Sequence, residues 1–205
     1  DLHSFPTRRS SDLRTLTAVL LTATLWATAQ STTAQKFKAT YQNTNPTDEM
    51  RIFAYIADPD SSGTNIRRIP GGEVIHTLRF EEIDEKAYSV KVLEAWNGWF
   101  RIDPQIEELT TEEGMVVLDG KEAWIHGSLL ANDTRNYGEN QQLRFYTRPD
   151  TNSPVAFTIH QEEQVTFVDI RVGWSKVKYV SPEGKARVGW IQNEWLCCNP
   201  LTTCP

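Results

Sequence analysis

The residues with chemistry to offer are a few histidines, three cysteines, two groups of acids and a set of tryptophans. Their spacing sorts them. His76, His126 and His160 are scattered, none sits beside a nucleophile, and each reads as an ordinary surface or strand-edge histidine. A cysteine hydrolase needs a reactive thiol with histidine partners downstream. Here Cys197, Cys198 and Cys204 come last in the sequence, after every histidine. Asp58, Asp60 and Gly63 have the opening spacing of a calcium loop, but the twelfth position would be Ile69 where that loop needs a bidentate Glu. Glu107, Glu108, Glu112 and Glu113 would mimic the carboxylate pair of a glycosidase, yet their clustering in an acidic stretch reads as a solvated loop. Two adjacent cysteines plus one do not match a zinc C-x-x-C pair. The sequence therefore gives no catalytic residue, no metal site and no cofactor, and the expectation is a noncatalytic protein.

The tryptophans are more informative. Trp99-Phe100-Arg101-Ile102 and Trp174-Ser175-Lys176-Val177 each follow a glycine turn, and Trp124-Ile125 and Trp190-Ile191 follow later in each half. In a strand, successive side chains point to opposite faces. Phe100 and Ile102 then fill a core, because arginine is rarely buried unpaired. Trp99 and Arg101 face outward. By the same rule Val177, Ile125 and Ile191 point inward, while Trp174, Lys176, Trp124 and Trp190 point away from the core. Aromatic side chains next to cations are common anchors of binding surfaces. These six residues, with Tyr55 and Tyr88 as further contributors, are the candidate ligand-binding set. Packing of the tryptophans between two barrels or under the loops is the competing reading.

The elements that must position them are strands. Ile52 to Ile56, Glu73 to Phe80, Tyr88 to Ala95, Trp99 to Asp103, Gly114 to Leu118 and Glu122 to His126 read as strands in the first half. Gln142 to Tyr146, Val155 to His160, Gln164 to Val172, Gly173 to Val180 and Ala186 to Gln192 read as strands in the second. Asn97-Gly98 and Asp119-Gly120 are hairpin signals, and Pro182-Glu183-Gly184 supplies a turn. No long 3.6-residue apolar period is present, so few helices are expected. The fold class is all-β. Each half is small enough that closure into a barrel would cover its strand edges.

Two copies of one pattern run along the chain. The first comprises Asn65-Ile66-Arg67, Pro70, Gly98-Trp99, Trp124-Ile125 and Leu129. The second comprises Leu143-Arg144, Pro149, Gly173-Trp174-Ser175-Lys176-Val177, Gly189-Trp190-Ile191 and Leu196. This pattern resembles the bacterial SH3 (SH3b, SH3-like) domain family. Gln142 and Ala123 depart from it, as does the acidic insertion. The resemblance implies two tandem small SH3-like β-barrels, residues 47–133 and 134–205, that bind or target in the bacterial envelope. The implied partners are peptidoglycan fragments, an envelope peptide or another envelope protein.

Export is the matching expectation. Arg14 precedes the apolar run Leu16 to Ala29, which closes on Ala27-Thr28-Ala29, so residues 14–29 read as a signal peptide. The run is too short for a comfortable membrane span, which takes about 20 residues. Residues 1–13, DLHSFPTRRSSDL, resemble a translated sequencing adapter and are set aside. Residues 30–46 read as a polar linker, in which Phe37 and Tyr41 would anchor a short strand. The net charge of −6 argues against nonspecific nucleic-acid binding, which clustered cations drive. The protein is expected in the periplasm or outside a Gram-negative cell. In that setting Cys197 or Cys198 would pair with Cys204, closing a small clip that adds about 2 kcal/mol.

Overall fold

The computed structural model describes residues 32–38, 52–79, 87–110, 114–120, 122–138 and 141–201. The adapter-like segment, the signal peptide, Tyr41 and Cys204 lie outside the described residues. Residues 32–38 form a short helix, not the strand or linker expected of them. Seven strands follow in the first half: β1 (Ile52–Ile56), β2 (Thr64–Arg67), β3 (Val74–Leu78), β4 (Tyr88–Trp96), β5 (Trp99–Glu108), β6 (Met115–Val117) and β7 (Trp124–His126). A 3₁₀ turn, Gly127–Leu129, leads into β8 (Leu130–Thr134). The second half continues with β9 (Leu143–Tyr146), β10 (Val155–Ile159), β11 (Gln164–Arg171), β12 (Trp174–Val180) and β13 (Ala186–Gln192). A second 3₁₀ turn, Asn193–Trp195, precedes β14 (Leu196–Cys197).

The all-β expectation holds, and the local signals explain why. Asn97 at φ 48° and Gly98 at φ 81° adopt the left-handed geometry of a two-residue hairpin, which joins β4 to β5 with Trp96 opposite Trp99. Phe100, Ile102, Ile125 and Val177 are buried, as alternation predicts, and so is Ile191. The Asp119-Gly120 signal misleads. β6 and β7 do not pair with each other but lie one after the other along the same edge of β5. β5 also runs on through Glu108, so Glu107 and Glu108 belong to a strand and not to an acidic loop.

The two closed barrels implied by the resemblance are not displayed. Among the described residues, the fourteen strands form one antiparallel sheet that ends at β3 and β10 and is not closed. Its order still carries the duplication. One half reads β3-β2-β7-β5-β4-β1 and the other β10-β9-β13-β12-β11-β8. In each, the strand after the 3₁₀ turn returns to the first strand of its own half: β8 pairs with β1, and β14 pairs with β8. β8 therefore finishes the first half and begins the second. Its other edge is taken by β11, with Ala131 opposite Thr166 and Asp133 opposite Gln164. With both edges of β8 occupied, the halves share a strand, and a boundary between residues 133 and 134 falls inside it.

One core runs through both halves, from Ile52 to Leu196. Phe100 of the first meets Phe167 of the second edge-to-face at 6.0 Å. Beside this core a polar tie crosses the seam. The Tyr55 hydroxyl donates to Asp133 Oδ1 at 2.9 Å and accepts from Gln164 Nε2 at 2.8 Å. Burial pushes the Tyr55 phenol and the Asp133 carboxyl upward, so the phenol keeps its proton and donates. Tyr55 is thus a buried structural residue and not a ligand contact. Tyr88 is likewise core, with its hydroxyl donating to the Arg79 carbonyl.

Candidate functional site

The outer face of β4, β5 and β7 carries the first-half candidates, and the short helix decides which of them meet solvent. Trp124 points away from Ile125 as alternation requires, yet it is fully buried. Phe37 lies edge-on to it with ring centroids 5.1 Å apart, and edge-on to Trp96 at the same distance. The Trp124 indole N–H donates to Glu122 at 3.2 Å. Arg101 sits opposite Trp124 in register and is buried as well, with Nε 3.0 Å from Glu94 Oε2. Ion pairing is what permits an arginine there. Both residues leave the ligand-binding set: face was predicted correctly, exposure was not, because Phe37 of a segment read as linker packs on Trp124, and Arg101 is buried in a pair with Glu94.

The second half repeats the arrangement with different cover. Trp190 is buried, and Arg171 and Lys176 lie over its ring at 5.9 and 6.0 Å. Trp174 is half-buried and meets Tyr146 edge-to-face at 5.8 Å. Lys176 is half-buried on the same surface. Trp190 is therefore part of the architecture, while Trp174 and Lys176 keep a partly open surface.

Trp99 is the candidate that lines a cavity. A cleft of about 520 Å³ opens beside it, walled by Asp58, Asp60, Asn65, Arg67 and His126, with Thr33 of the helix at its margin. Strand register assembles it. Trp99 lies opposite His126, and their rings meet edge-to-face at 5.2 Å. Arg67 lies opposite Trp124 on the neighbouring strand and donates from Nη1 to the Gly72 carbonyl. Burial lowers its pKa, though a guanidinium stays charged.

The acidic wall comes from the loop before β2. Asp58 is committed internally: Oδ1 accepts the Asp60 N–H at 3.0 Å, and Oδ2 accepts the Thr64 hydroxyl at 2.8 Å. Asp60 accepts the Ser62 N–H at 2.9 Å, and those bonds hold its carboxyl below the usual range. Asp60 is thus an exposed, ionised carboxylate at the rim. No group of three metal-ligating side chains occurs among the described residues.

His126 is the residue that sequence reasoning set aside. It caps the 3₁₀ turn: Nδ1 accepts the Ser128 N–H at 3.3 Å and lies 2.8 Å from the Ser128 hydroxyl. An Nδ1 that accepts leaves the proton on Nε2, so the neutral ring presents a donor. Desolvation lowers its pKa from 6.5, so the ring is neutral at pH 7. The Ser128 contact is a local cap, and Ser128 does not line the cleft. Only register could have flagged His126, two residues beyond Trp124 on the same face. His76 and His160 lie on two other clefts, of about 360 and 300 Å³, so the three histidines do not converge.

A pH dependence follows. Protonating Nδ1 removes the acceptor of the Ser128 N–H and with it that bond of the cap. The folded pKa is depressed, so this contribution is present above 6.5 and lost as pH falls through the lower, folded value. The stability of the wild-type chain relative to His126→Gln, read from thermal melts at each pH, is expected to stay nearly constant from pH 8 to 7 and to fall as pH drops below 6.5; a difference that does not change with pH excludes His126 as its source.

No family model matches the chain, and no curated protein matches it. Among solved structures it is similar to NlpC1 from Trichomonas vaginalis, at 16% identity and a TM-score of 0.28, covering 77% of this chain and 46% of that one. It is also similar to NlpC2 from the same organism, at 16% identity and a TM-score of 0.27, covering 73% and 49%. The chain spans about half the length of these two proteins. At that superposition the likeness decides neither architecture nor activity.

Proposed function

We propose that this chain is an exported, noncatalytic binding module of the bacterial envelope, built from two SH3b-like units fused through β8. Its ligand is a peptidoglycan fragment or an envelope peptide, held in the cleft beside Trp99. One observation carries this reading: the cleft combines an indole, an ionised carboxylate at Asp60, the Arg67 guanidinium and the His126 imidazole. An amphipathic ligand with hydrogen-bonding groups of both kinds fits such a wall. Separation of the three histidines onto different clefts supports a noncatalytic role. No helix among the described residues is long and apolar enough to cross a membrane.

The test is retention on purified sacculi, read by co-sedimentation with and without competing soluble muropeptides. Retention that the muropeptides compete supports the reading, and no retention counts against it. Docking of another envelope protein is the second reading. Exposed Val155, Val172, Val180 and Val188 of the second half favour it.

The export reading includes the cysteine clip, and Cys197 is the better partner for Cys204. Cys197 is buried, while Cys198 keeps a free thiol that burial pushes upward in pKa. Alkylation of the unfolded, unreduced chain is expected to label one cysteine, Cys198, in peptide mass spectrometry. Labelling of all three would remove the clip.

A further inference from the structure

We infer that helix 32–38 is a wall of the ligand cleft and that Phe37 is the positioning residue which holds it there. This rests on the cleft beside Trp99 being the ligand site. Thr33 and Phe37 are four apart, so they project from one side of the helix. Phe37 wedges against Trp96 and Trp124, whereas Thr33 reaches the cleft shared by Trp99 and His126. The same helix side therefore contacts both parts of the β4–β5–β7 face.

The strands that Phe37 touches are those that carry the recognition groups. Trp96 is the register partner of Trp99 across the Asn97-Gly98 turn. Trp124 precedes His126 by two residues and projects to the same face. Among the described residues, an aromatic from outside the sheet covers the indole in the first half only. Trp190 occupies the place of Trp124, and Arg171 the place of Trp96, since each pairs with its counterpart in register: Lys176 with Trp190, Arg171 with Trp174. There Arg171 and Lys176 of the same unit lie over the indole. The first unit has an open indole face that the helix closes, and in closing it the helix adds a side to the cleft. The two units thus differ in what they can hold, although their strand orders match.

The experiment uses the full chain and a disaccharide-tetrapeptide muropeptide, with affinity read by titration calorimetry. Phe37→Ala detaches the helix, and Phe37→Leu restores most of the apolar contact. Thr33→Trp leaves the Phe37 anchor in place and fills the cleft margin. Phe37→Ala and Thr33→Trp are each expected to weaken binding at least tenfold, with Phe37→Leu within threefold of the wild type. A merely structural helix would lose affinity in Phe37→Ala but keep it in Thr33→Trp, and that result overturns the inference. So does wild-type affinity in both. Absence of binding by the wild-type chain overturns the ligand reading itself, and the inference with it.

Discussion

Gly127→Ala is expected to lower the stability of the whole chain by about 3 kcal/mol, a fall in Tm of roughly 6–12 °C for a chain of this size. Gly127 opens the 3₁₀ turn between β7 and β8, where the halves meet. A methyl group there would run into the Phe100 ring from one side and the Phe167 carbonyl from the other. Neither can yield cheaply. Phe100 is fully buried and packs edge-on against Phe167, and the carbonyl belongs to the backbone of β11. The Gly127 N–H is also bonded to the Gly98 carbonyl at 2.9 Å, which ties the turn to the hairpin beneath Trp99. Overpacking at this point pushes the two halves apart along their common core. Thermal unfolding followed by circular dichroism should show one transition, displaced downward, because a single core serves both halves. Val117→Ala, on an exposed strand position, should shift stability by less than about 0.5 kcal/mol. A Gly127→Ala midpoint within 2 °C of wild type would mean that the seam is loosely packed.

The second large effect is on binding. Trp99→Ala is expected to reduce affinity for a muropeptide at least tenfold, about 1.4 kcal/mol, and to release the chain from sacculi. Trp99 is half-buried and stands at the wall of the cleft, so its removal takes away the largest apolar surface offered to a ligand. The fold should survive, because Phe100 and Ile102, next to it on β5, supply the core contacts of that strand. Trp174→Ala is expected to bind within threefold of wild type, since Trp174 is not among the residues lining this cleft. Trp99→Ala binding as tightly as wild type would move the ligand away from the cleft altogether.

Much of the sheet was legible because period-2 alternation and Gly turns are local signals. β1 and β13 fall on the predicted residues, and the Asn97-Gly98 hairpin is where its dipeptide places it. The helix at 32–38 was not legible. Seven residues are too few for a periodic signal, and what stabilises the helix is Phe37 meeting two tryptophans some sixty and ninety residues downstream. For the same reason exposure misled where direction did not: Trp124 and Arg101 point outward but are covered. β8 was missed because Leu130 to Thr134 shows no clean alternation: four of its five residues are buried, so neither face is left polar. Of the candidate site, Trp99 was visible as an aromatic after a turn. His126 and the Asp58–Asp60 loop were visible only as residue types, since their convergence on Trp99 is set by register between strands far apart in sequence.

The double duty of β8 has a consequence for how such a chain is cut or lengthened. Neither unit can be excised whole: a fragment ending at residue 129 leaves β1 with β4 alone, and one beginning at residue 135 leaves β11 with β12 alone and β14 without its β8 partner. A bare β11 edge invites another molecule to pair with it. Expressing either unit alone in soluble form therefore means copying Leu130–Thr134 into both fragments. By the same logic an array grows by overlap, each added unit supplying one strand fewer than a free-standing barrel would need.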